Sequence, residues 1–233
     1  MKILSLETSA KSVSAAVTDG EKLLAYAYQA TGLTHSRTLM PMVEAMLKNS
    51  DLTLNDMEAI AVSSGPGSFT GLRIGVAAAK GLAWAQDLPC CGVSTLEAMA
   101  RNLGVYQGYV VPAMDARRSQ VYTAIFHADK GELTRVEEDM AISLAELGEK
   151  IKNFGQPVFL VGDGATLCYN TLLEEVPGLV LPKEHRMHQR AAGVALAAQA
   201  MADAGDPGNG AELTPNYLRL SQAERERLAR ENR

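Results

Sequence analysis

The stretch Val62-Ser63-Ser64-Gly65-Pro66-Gly67-Ser68-Phe69-Thr70-Gly71-Leu72-Arg73-Ile74-Gly75-Val76 decides the fold. It reads as the end of a buried strand, a turn punctuated by glycine and proline, and the start of a helix that meets no strong breaker before Pro89. Ser68 is placed to cap that helix, its hydroxyl accepting from one of the first free backbone N–H groups, and Thr70 adds a small polar side chain to the first turn.

A glycine-rich turn feeding a helix suits either an anion site or close packing. The anion reading lacks its spacings: no Gly-Lys-Ser/Thr follows the turn, and Gly65, Gly67 and Gly71 do not form G-x-G-x-x-G. Gly71, Gly75 and Ala79 recur every four residues and so line one helical face that a neighbour can approach closely. That neighbour is either the protein's own sheet or a partner's helix, and because the opposite face is also apolar the sequence leaves both open.

Composition narrows the function classes. A chain of 233 residues buries a sizeable core without staples, roughly 70% of its unfolded surface. Hydrophobic content of 47% with 21% charged residues describes a globular protein. A net charge of -5 gives no global basic field, which argues against a protein that grips nucleic acid alone. The first residues hold too short an apolar run for a signal peptide, and no stretch approaches the ~20 apolar residues of a membrane span, so a cytoplasmic protein is expected. Cys90, Cys91 and Cys168 form neither a disulfide framework nor a zinc knuckle and are expected to be buried thiols.

Outward from the central stretch, Lys2 to Glu7, Val13 to Thr18 and Lys22 to Gln29 read as a three-stranded meander with a hairpin turn at Asp19-Gly20. Leu39, Val43, Met46 and Leu47 fall at helical spacing between His35 and Asn49, with regular helix starting near Pro41. Met40 and Met42 make that helix apolar on more than one side. Cys90 to Val93 is a further strand, and Ser94 caps a helix to about Asn102. From Gly104 the pattern restarts: strands at Tyr109 to Met114, Gln120 to His127 and Glu132 to Met140, a helix from Leu144 to Lys152, a strand from Pro157, and a turn at Gly162-Asp163-Gly164. A helix from Ala165, a short strand at Leu179 and an alanine-rich helix from Gln189 to Ala204 complete it. Three strands followed by alternating helix and strand appear twice, the order of a ribonuclease-H-like lobe. The expected division is 1–103 for the first lobe, 104–218 for the second, and a charged tail at 219–233.

Two such lobes with a polar turn after the first strand resemble the actin, sugar kinase and Hsp70 superfamily, an α/β fold. Ile3-Leu4-Ser5-Leu6-Glu7-Thr8-Ser9, His35-Ser36-Arg37-Thr38-Leu39-Met40-Pro41 and Ser63 to Gly75 closely resemble the TsaB (YeaZ) family, and Asp115-Ala116-Arg117-Arg118 with Pro215-Asn216-Tyr217-Leu218-Arg219 extends the likeness over nearly the whole chain. The resemblance implies a non-catalytic subunit that pairs with the catalytic paralogue TsaD, with TsaE as third member, for threonylcarbamoyl transfer to the adenosine beside the anticodon of transfer RNAs. It also implies a homodimer in isolation and contact with tRNA only through the complex. The partner-binding positions expected on the two helices are Leu39, Met42, Val43, Met46, Phe69, Gly71, Leu72, Gly75, Val76 and Ala79.

Departures from the paralogue carry the non-catalytic expectation. Its histidine pair at H-x-x-x-H spacing, which places both ligands on one helical face, matches Thr95 and Met99 here, so no metal is expected. Its acidic pair after the first strand matches Lys11 and Ser12. The superfamily's phosphate turns match Thr8 and Ser9 in one lobe and Gly162 and Gly164 in the other, a vestigial site for which no cofactor is expected. The alternative is an autonomous ATPase or kinase of the same fold. A metalloprotease lacks H-E-x-x-H and any nucleophile triad.

Overall fold

The computed structural model describes residues 1–219, so the charged tail lies outside the described residues save for Arg219. The first sheet contains β1 (Lys2–Glu7), β2 (Val13–Asp19), β3 (Lys22–Gln29), β4 (Ala59–Gly65) and β5 (Cys90–Ser94) in the order β3-β2-β1-β4-β5. β1 runs antiparallel to β2, with Leu4 opposite Val17, and parallel to β4, with Leu4 opposite Ile60. Side chains alternate across this sheet with the two-residue period of a strand. Leu4, Leu6, Ile60 and Val62 pack under α1 (His35–Asn49) and α2 (Phe69–Gln86), while Ile3, Ala59, Ala61 and Val93 face α6 (Ala191–Asp203).

The second sheet repeats the plan with β6 (Gly108–Asp115), β7 (Gln120–Asp129), β8 (Glu132–Ser143), β9 (Val158–Val161) and β10 (Leu179–Val180), ordered β10-β9-β6-β7-β8. One face carries α4 (Leu144–Ile151) and α5 (Ala165–Leu172), and the other is covered by α3 (Thr95–Leu103). This is the two-lobed ribonuclease-H-like α/β architecture expected from the sequence, with α3 and α6 between the sheets. No helix among the described residues is long and apolar enough to cross a membrane.

Two features depart from a reading in chain order. The helix α1 begins at His35 and holds Pro41 inside it, rather than starting near the proline. Arg37, whose carbonyl would accept from the N–H that Pro41 lacks, is exposed. Residues 191–217 pack on the first lobe rather than the second: α6 covers the first sheet, and the segment after it crosses back over β4 and β5, with Asn216 N donating to Ser64 O (2.6 Å) and Lys80 Nζ donating to Leu213 O (3.1 Å). That segment ends on the second lobe, where Arg219 Nη1 donates to Ala116 O (2.7 Å).

A partly buried ion network ties the lobes at α3. Arg135 on β8 reaches Glu97 (3.0 Å) and Asp139 (2.7 Å), its guanidinium lies 4.7 Å from the Phe126 ring centroid, and Ser94 Oγ donates to Asp139 (2.6 Å). All three cysteines are buried and unpaired, and burial pushes the thiols of Cys90, Cys91 and Cys168 up to about 11, 12 and 12.

Candidate functional site

Thr8, Ser9 and Ser12 of the turn after β1 are buried, and most of their polar groups are bonded within the chain. Glu7 Oε1 accepts from Ser9 N (2.6 Å) and Oε2 from Ser63 Oγ. Burial raises the Glu7 pKa above the usual carboxylate range, against the opposing pull of those hydrogen bonds and of His35. Thr8 Oγ1 donates to Gly71 O (2.8 Å), so this side chain faces the start of α2. Ser9 O accepts from Ser68 N (2.7 Å), while Ser9 Oγ is buried without a partner.

The opposite turn is equally close-packed. A Cβ on Gly162, which has φ 111°, would collide with Ala113 O and come within 3.2 Å of Met99 Sδ, and one on Gly164 would sit 3.0 Å from Asp115 N. Between the two turns runs the segment before α6. Gly162 N donates to Met187 O (2.8 Å), Ser12 Oγ donates to Gln189 O (3.1 Å), and the buried Gln189 amide donates to Asp163 Oδ1 (3.1 Å). Desolvation raises the Asp163 pKa, with the Gln189 hydrogen bond opposing it. Thr8 and Ser9 are bonded to the start of α2, and the two turns matched to phosphate binding are tied together through Ser12, Gln189 and Asp163. Sequence reading did not single out Gln189; its one signal is a polar residue opening an alanine-rich apolar helix.

Thr95 and Met99, at the positions matched to the paralogue's metal ligands, are both buried on α3, and Thr95 Oγ1 has no partner. Neither side chain is a strong ligand for the metals that favour imidazole. Among the described residues no three His, Cys, Asp or Glu groups gather as a metal site.

The expected partner residues separate by burial. Leu39, Val43, Met46, Gly71, Leu72, Gly75, Val76 and Ala79 are buried inside the first lobe, while Met42 and Phe69 are partly exposed. The glycine stripe serves the protein's own sheet: a Cβ at Gly71 would strike Thr8 O, and one at Gly75 would strike Thr8 Oγ1 and approach Val62 Cγ2 (3.1 Å). These eight side chains are not surface in the free chain. Small residues every four positions allow close approach but do not say on which side, and α2 is apolar enough all round for either.

What α1 and α2 expose is a different set. Met40 is 42% exposed on α1, and Arg73, Ala77, Gly81 and the 89% exposed Trp84 form the outer side of α2. Trp84 borders a hollow of about 520 Å³ floored by Gly81, Leu88 and Gly210. At the other end of α2, Phe69 stacks on Tyr217 with centroids 4.2 Å apart, and Arg73 Nε donates to Tyr217 Oη (2.9 Å). Exposed aromatic and arginine side chains over small residues are the chemistry of a protein–protein contact.

Comparison with known proteins agrees over most of the chain. Residues 29–226 match the family model described as TsaD, tRNA N6-adenosine threonylcarbamoyltransferase. The tRNA threonylcarbamoyladenosine biosynthesis protein TsaB of Bacillus subtilis is 34% identical over 226 residues, 96% of each chain. The protein of the same name from Escherichia coli is 35% identical over 167 residues, covering 70% of this chain and 72% of its own. The solved structure of YeaZ from Pseudomonas aeruginosa superposes with a TM-score of 0.76 at 26% identity, over 93% of this chain and 99% of that one.

Proposed function

The chain belongs to the TsaB family, and from that premise we propose that it is a non-catalytic subunit serving threonylcarbamoyl transfer to the adenosine beside the anticodon of transfer RNAs. Its partners are a TsaD-type catalytic paralogue and TsaE, and the tRNA substrate is engaged by the assembled complex. The observation that supports the non-catalytic reading is the Ser12–Gln189–Asp163 bridge, which ties together the two turns matched to phosphate binding. Thr95 and Met99 support it further, being uncharged and buried at the positions matched to the paralogue's metal ligands.

The partner face is the outer side of α1 and α2: Met40, Met42, Ala77, Gly81 and Trp84, with the Phe69–Tyr217–Arg73 cluster at one end. Ala77 and Gly81 present almost no side chain, so a facing helix can come close to the backbone, and Trp84 supplies a large apolar anchor. In the absence of the paralogue, a second copy covers the same face.

The test is co-purification of Ala77→Arg with the paralogue, alongside ATP turnover by the isolated wild-type chain. The variant should fold normally and lose the partner, and the chain alone should not turn over ATP. Normal binding by folded Ala77→Arg would remove this face from the interface. Turnover that survives further purification would favour the autonomous ATPase.

A further inference from the structure

A cavity of about 780 Å³ opens where the end of α3 meets the loop after β10, and it shares no lining residue with the cleft turns or with α1 and α2. It arises because α3 stops at Leu103, where Gly104 turns left-handed (φ 63°), while Phe159 on β9 and Val180 on the short edge strand β10 lie beyond the helix end. Val105 and Pro182 complete an apolar lining, and Tyr106 stands beside it, 68% exposed. The Tyr106 backbone is held by Gly131 N, which donates to its carbonyl (2.9 Å).

The polar side of this hollow is cationic. Lys183, His185 and Arg186 line it and no carboxylate does, in a chain with 27 acidic against 22 basic residues. Arg186 Nη2 donates to Leu103 O (3.1 Å), which places the guanidinium at the negative end of α3 and offsets the repulsion an anion would otherwise meet there. The side chains of Lys183 and His185 have no hydrogen bond or ion pair among the described residues, and the adjacent Glu184 is turned to His188 Nε2 (3.0 Å). An apolar, aromatic hollow with the unpaired Lys183 ammonium and the Arg186 guanidinium at its edge matches a ligand that is flat and apolar at one end and anionic at the other. Inorganic phosphate would satisfy the cations but leave the hollow unfilled, and an apolar helix would leave the cations unanswered.

We propose that this cavity binds a nucleoside phosphate, free or as one residue of an RNA strand, with the base against Tyr106 and Phe159 and the phosphate against Lys183 and Arg186. The inference does not rest on the subunit role, since a chain that failed to bind any paralogue would carry the same cavity.

The experiment titrates the full chain with AMP by calorimetry and with a short fluorescein-labelled single-stranded RNA by anisotropy, using adenosine and inorganic phosphate as competitors. Binding of AMP, of RNA or of both supports the site and tells which source it takes, and adenosine and phosphate should each compete at least about tenfold less well than AMP. Tyr106→Ala and Lys183→Glu, both exposed and so expected to leave the melting temperature unchanged, should each weaken binding about tenfold or more, and Tyr106→Phe should keep it. Absence of binding by both ligands, or affinity unmoved by Tyr106→Ala and Lys183→Glu, would overturn the proposal. Phosphate competing as well as AMP would overturn it too, since the aromatic hollow would then play no part.

Discussion

Gly75 and Gly81 lie on the same helix and should answer to alanine in opposite directions. A methyl group at Gly75 meets Thr8 Oγ1 and Val62 inside the lobe, so Gly75→Ala should destabilise the protein by about 1–3 kcal/mol. Gly81 has nothing within 4 Å of its would-be Cβ, and Gly81→Ala should stabilise by up to about 1 kcal/mol through helix propensity alone. Urea unfolding of the two variants measures both, and equal effects would contradict the orientation of α2. Glu7 gives a pH test. Its folded pKa is raised above the ordinary value of 4.5, so between those two pKa values the folded chain holds more protons than the unfolded one. Stability from this group is therefore full below about 4.5 and falls as pH rises through the folded pKa. Glu7→Gln keeps an acceptor for Ser9 N, and Ser63 Oγ can turn to accept from the new amide. Its stability relative to wild type should therefore rise with pH, and a difference that stays flat from pH 4 to 9 would contradict the assignment.

At the scale of elements, the outer side of α2 carries the prediction. Arginine at Ala77 would place a charge in the proposed partner seam, where an unpaired buried charge costs about 3–4 kcal/mol and weakens association several hundred-fold, while leaving the exposed position itself unstrained. Circular dichroism should show an unchanged fold, and a binding titration the lost affinity. α1 was legible from the helical spacing of Leu39, Val43, Met46 and Leu47, and α2 from Pro66, Ser68 and the four-residue spacing of Gly71, Gly75 and Ala79, because caps and periodicity are local signals. Which side of α2 faces inward was not, since both sides are apolar and only the position of Thr8 decides it. The segment from Pro215 to Arg219 read as extended, but its docking depends on Ser64, Phe69 and Ala116, far away in the chain and marked by no period. Tyr217→Ala should cost about 1 kcal/mol of stability from the lost Phe69 stack, checked by thermal melting.

Across the whole molecule, the repeated order of strands and helices was enough to read two lobes, since each lobe repeats the same local pattern. The return of α6 to the first sheet was hidden, because chain order alone assigns that helix to the second lobe. The bridge between the two turns was hidden for the same reason: Gln189 is polar and unremarkable in sequence, and its bonds to Ser12 and Asp163 join residues far apart in the chain. The central claim, a subunit that acts only through a catalytic partner, is tested most directly by mass spectrometry of nucleosides from unmodified tRNA incubated with the threonylcarbamoyl donor. The predicted result is no threonylcarbamoyladenosine with this chain alone, formation when the TsaD-type paralogue and TsaE are added, and loss again when Ala77→Arg replaces wild type at limiting concentration. Modified nucleoside formed by the isolated chain and persisting through further purification would contradict it.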